Sequence, residues 1–127
     1  MSANDAVYLV KLKFESDGFG GGSMTAQLAV DPVHRTFSGR ADGDFEEGTA
    51  RPPRFTATFA GSIHSTGLGD VTQVGAADGQ ALVSFTSPPG SYLTRFAMGF
   101  GVDNDWNGRG SFTVGDQSYE CKITAIG

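Results

Sequence analysis

YLTRFAMGFGVDNDWNGRG, residues Tyr92 to Gly110, joins the longest aromatic alternation in the chain to its most polar, turn-prone loop. Tyr92, Phe96, Met98 and Phe100 fall on every second residue, with Thr94 the one polar member of that register. Residues so spaced share one face of an extended chain, so the stretch reads as a core-forming strand. It runs directly into Asp103-Asn104-Asp105-Trp106-Asn107-Gly108, which is dense in oxygen ligands and turn formers.

The same period of two recurs on both sides. Upstream, VYLVKLKFE places Tyr8, Val10, Leu12 and Phe14 on one face, with Lys11, Lys13 and Glu15 on the other. Ser23 to Val30 and Arg35 to Ala41 alternate likewise, the latter with Phe37, Gly39 and Ala41 together. Small residues in that register suit a tightly curved sheet or a close aromatic approach. Arg54 to Ile63 turns Phe55, Ala57, Phe59 and Ile63 inward and Thr56, Thr58 and Ser62 to water. A weaker strand is expected over Asp70 to Ala76. Asp78-Gly79 then carries a hairpin signal, and Gln80 to Thr86 returns. After the Asp/Asn loop, Arg109 to Val114 and Tyr119 to Ile126 make a last hairpin around Gly115-Asp116-Gln117-Ser118.

Between the strands lie turn signals: a Gly-rich bend from Ser16 to Gly22, Asp31-Pro32-Val33-His34, the segment 42–53, His64 to Gly69, and Ser87-Pro88-Pro89-Gly90-Ser91. No segment keeps a helical period over three turns. About nine short strands joined by hairpins imply an all-β domain, an antiparallel β-sandwich or flattened β-barrel with little or no helix. The 127 residues form a single domain, with residues 1–5 frayed.

Composition narrows the function classes. The 19 glycines and 10 phenylalanines disfavour a helical bundle. A net charge of −5, from 14 acidic and 9 basic residues, argues against a nucleic-acid surface and against docking to anionic membrane. No apolar run approaches the length of a membrane span. The start, MSANDAVYLV, has neither the basic n-region nor the long apolar h-region of a signal peptide, so a cytoplasmic or non-classically exported monomer is expected. Cys121, the one cysteine, shares its register with Tyr119 and Ile123 and reads as a small buried side chain.

Two acidic segments are the candidate sites. Asp103, Asp105 and Asn107 match the opening of a calcium loop, with Gly108 at the sharp turn, and such spacing lets alternate oxygens converge on a hard cation. The twelfth position, where a bidentate Glu belongs, is Val114. The competing reading is a structural turn capped by Trp106, a residue that could instead stack on a sugar or plug a barrel end. The second segment carries Asp42, Asp44, Glu46 and Glu47, followed by Arg51 and Arg54, and reads as a solvated charge run able to meet a basic partner. His34 and His64 stand in turns, outside any nucleophile or zinc motif, and neither a P-loop nor G-x-S-x-G occurs. No enzyme is expected.

The order of landmarks, with VYLVKLKF, a Gly-rich bend, MTAQLAVDPVHRTFSG, RPPRFTATFAGS and F-x-M-x-F-x-V-D-x-D-W-x-G-x-G-x-F, resembles a family of small bacterial all-β proteins, mainly beta-proteobacterial, catalogued as a domain of unknown function. The resemblance spans nearly the whole chain. It is most specific at Asp103, Asp105, Trp106 and Gly108 and from Val30 to Gly39. It implies no activity, cofactor or catalytic residue. The family pattern has no oxygen ligand at the Asn107 position, which favours a packed turn over calcium. Gly-hinged loops on a rigid sheet suit recognition, and would make such a protein an antigen with host antibody as a partner. The expected function is therefore a non-enzymatic binding or interaction module using loops 42–53 and 103–108. The alternative is a calcium- or carbohydrate-binding domain on Asp103, Asp105 and Trp106.

Overall fold

The computed structural model of the chain describes residues 6–16, 21–44, 53–69, 71–86 and 89–126. Eight strands follow in order: β1 (Tyr8–Ser16), β2 (Ser23–Asp31), β3 (Thr36–Asp44), β4 (Arg54–Leu68), β5 (Val71–Thr86), β6 (Pro89–Val102), β7 (Gly108–Val114) and β8 (Gln117–Ala125). Each pairs antiparallel with its neighbours in sequence. β1 then meets β8 from Leu12 opposite Ala125 to Ser16 opposite Cys121. The result is a closed up-and-down barrel, which settles the choice between sandwich and barrel, with every strand hydrogen-bonded to a neighbour on each side. No helix occurs among the described residues.

Inward residues follow the alternation read from the sequence. Phe14, Phe37, Phe55, Phe59, Phe96, Phe100 and Phe112 are all buried, with Leu12, Leu28, Val83, Val102, Cys121 and Ile123 around them. Their rings touch in one continuous series. It runs from Tyr8 through Trp106, Phe100, Phe37, Phe59, Phe96 and Phe55 to Phe112 and Tyr119, with centroids 5.4–6.3 Å apart. Each such pair adds about 0.5–1.5 kcal/mol beyond its buried area.

An eight-stranded barrel has room for these rings only if their cross-strand neighbours are small. The register supplies glycine at those places. Phe37 stands opposite Gly61 and Phe55 opposite Gly43; Phe59 lies between Gly39 and Gly79, and Phe100 between Gly75 and Gly110. A Cβ at Gly79 would fall 1.9 Å from the Thr58 carbonyl oxygen, and one at Gly75 would fall 2.4 Å from the Phe100 ring.

This pairing explains the main departure from expectation. Asp78-Gly79 makes no hairpin: β5 runs unbroken through it, with Gly79 opposite both Phe59 and Phe96, so two expected strands are one and nine become eight. His64 is likewise a strand residue, paired with Val74, because β4 continues to Leu68. The 42–53 segment begins later than expected. Asp42 to Asp44 extend β3 by pairing with both β2 and β4.

The outward face carries exposed Lys11, Lys13, Gln27, Arg40, Thr56, Thr58 and Gln80. The same face also carries exposed Leu9, Val74, Leu82 and Leu93. No helix among the described residues is long and apolar enough to cross a membrane.

Candidate functional site

The Asp103 loop is a closed, internally bonded turn. Asp103 and Asn107 pair through Asp103 N–H to the Asn107 carbonyl at 2.9 Å, and Trp106 N–H donates to the Asp103 carbonyl at 3.1 Å. The Asp103 carboxylate accepts through Oδ1 from the backbone N–H groups of Asp105 at 2.8 Å and Asn107 at 3.0 Å, an Asx-type cap. Asn107 Oδ1 accepts from Ala125 N–H at 3.0 Å and so ties the loop to the end of β8. Two of the expected calcium donors thus already hold backbone groups. Among the described residues, no three His, Cys, Asp or Glu side chains gather in a way that could hold a metal.

Trp106 is the loop's contribution to the core. It is only 8% exposed and lies between Tyr8 and Phe100, with ring centroids at 6.3 and 5.8 Å. A sugar stacking on Trp106 would have to displace one of those rings. Its φ of 66° is left-handed, a costly conformation for any residue with a Cβ.

Tyr8 leads from this loop to an opening that the sequence did not reveal. At the rim bearing the β2–β3 and β6–β7 turns lies a cleft of about 670 Å³. Its apolar side is formed by Tyr8, Val30, Pro32 and Ile63, and its polar side by Arg35, His64, Ser65 and Gln73. Val30 and Ile63 are buried and form the floor. Ser65 and Gln73 are directly opposite each other on β4 and β5, in the inward register of Ile63 and Gly75. Burial pushes the Tyr8 phenol above its ordinary pKa.

The turn below the cleft is firmly built. Asp31 Oδ1 accepts from the N–H groups of Val33 and His34, and its Oδ2 meets His34 Nδ1 at 2.7 Å. The His34 side chain is the largest cause holding the Asp31 carboxyl below the usual aspartate range, with the backbone N–H of His34 next. Arg35 closes the turn at φ 56°, and its carbonyl accepts from Ile63 N–H at 3.0 Å. Arg35 and Trp106, the left-handed non-glycine residues among those described, therefore stand at the same rim.

The structure does not bring the expected acidic residues together. Asp42 and Asp44 lie on the outer face of β3 at the opposite end of the barrel from Asp103, and Asp44 Oδ1 meets Arg54 Nε at 3.5 Å. Glu46 and Glu47 lie outside the described residues. Asp105 is exposed at the tip of its turn. The signal for the cleft was a polar pair, Ser65 and Gln73, in an inward register. It becomes visible only once β4 and β5 are known to run past Ile63 and Gly75. No family model matches this chain, and a search of curated proteins finds none similar to it.

Proposed function

We propose that this chain is a non-enzymatic binding protein that takes a small molecule in the mouth of its barrel, at the Tyr8, Arg35 and Gln73 rim. One observation carries the reading. The interior is filled by phenylalanine rings, yet one end opens into a cleft of about 670 Å³ with an apolar floor and convergent polar side chains. That combination is the usual form of a small-ligand site, and barrel mouths are a usual place for it. Of the two loops expected to serve recognition, the 103–108 loop adjoins this mouth, since Trp106 backs the Tyr8 wall. What favours binding over catalysis is the state of the nucleophiles. Cys121 is fully buried, and Ser65 in the cleft has no histidine or carboxylate hydrogen-bond partner among the described residues.

A fragment screen on isotope-labelled protein, read by amide chemical shifts, tests the proposal. Shifts should cluster on Tyr8, Ile63, Ser65 and Gln73. Hits confined to the outer Leu82–Leu93 surface or to the Phe85–Tyr92 end, or no hits, would overturn it.

A further inference from the structure

We infer that the mouth selects an organic anion, an apolar body bearing one carboxylate or similar group, and that Arg35 is its anchor; this rests on the mouth being the binding site. The charge of the lining is the first ground. The chain carries −5 overall, yet among the described residues the cleft lining holds the guanidinium of Arg35 and no carboxylate side chain. A cation set in the lining gives an anionic group a local partner there.

The second ground is the state of Arg35. Among the described residues no carboxylate lies within ion-pair distance of it. The aspartate of its own turn, Asp31, is engaged with His34 and with two backbone N–H groups. Arg35 also holds a left-handed φ of 56°, where glycine or asparagine would be more stable. A strained backbone presenting an unpaired guanidinium over a cleft is accounted for if the side chain serves a ligand. A planar guanidinium grips a carboxylate through two parallel N–H bonds, which lysine cannot reproduce. Tyr8, Ser65 and Gln73 supply further donors, while Val30, Pro32 and Ile63 receive the apolar body.

The test is a calorimetric titration with 2-naphthoate and its neutral isostere 2-naphthamide, with binding located by amide shifts. For the native protein, the carboxylate should bind about tenfold tighter or better, the usual worth of a hydrogen bond to a charged group. In Arg35→Gly that preference should vanish while the melting midpoint does not fall, because glycine relieves the turn. Arg35→Asn, which also tolerates the left-handed region, should behave alike and guards against a folding failure in the first variant. Equal binding of both probes by the native protein, or a preference kept by both variants, would overturn the anion inference and leave the mouth as a site. If neither probe shifts Ile63, Ser65 or Gln73, the mouth reading falls with it.

Discussion

Gly79→Ala is the substitution on which the packing argument is most exposed. An alanine Cβ there would lie 1.9 Å from the Thr58 carbonyl oxygen and 2.9 Å from the Phe59 Cα, both backbone atoms that cannot swing aside. Relief requires β4 and β5 to separate locally, which disturbs the Phe59 and Phe96 rings stacked at 5.8 Å. Overpacking of this kind costs about 1–3 kcal/mol, and contact with main chain puts this case at the upper end. For a domain of this size about 3 kcal/mol lowers the melting midpoint by roughly 10 °C. Gly90→Ala serves as the control, since a Cβ at Gly90 meets nothing within 4 Å. There the smaller entropy of the unfolded chain should leave stability unchanged or raise it by up to about 1 kcal/mol. Thermal unfolding followed by circular dichroism reads both. A Gly79→Ala protein as stable as the native one, or more stable, would refute the Phe–Gly pairing as the reason β5 runs through Asp78-Gly79.

Asp103→Ala removes the acceptor of two backbone N–H groups and should cost about 1–2 kcal/mol by chemical denaturation, as loss of a comparable cap does. Because the Asp103 and Asn107 oxygens already serve backbone groups, millimolar calcium against chelator should leave the native melting midpoint unmoved; a rise would place a cation in the loop. Asp31 titrates below the usual aspartate range in the folded state, so its contribution is fully present above that range and is lost as pH falls through its own lowered value. Asp31→Asn should therefore flatten the acid limb of a stability–pH curve, and the Asp31 carboxyl carbon should titrate below free aspartate; an ordinary or raised midpoint would contradict the His34 contact.

Legibility followed the strength of the alternation. Where apolar and polar residues strictly alternate, as from Phe55 to Phe59, inward and outward assignments hold residue by residue. The failure at Asp78-Gly79 has a definite cause. Glycine meets two different demands, a left-handed turn and a close approach of the neighbouring strand's main chain, and the local sequence is the same for both. Only the register with Phe59 and Phe96 separates them, and register is a long-range property. The Asp103 turn could be read because its bonds are local. The mouth could not, since its residues come from β1, β2, the β2–β3 turn, β4 and β5, and meet only on closure of the barrel. Nothing in the run Val33-His34-Arg35 marks arginine as left-handed, because arginine has no special tolerance for that region.

The most direct measurement is of contacts from a bound probe, by isotope-filtered nuclear Overhauser spectra of the native protein with millimolar 2-naphthoate. The ring protons should show effects to the methyl groups of Val30 and Ile63 and to the Tyr8 ring. Effects to Leu82 and Leu93, or to Phe85 and Tyr92, with silence at Val30 and Ile63, would contradict a ligand site in the mouth of this barrel.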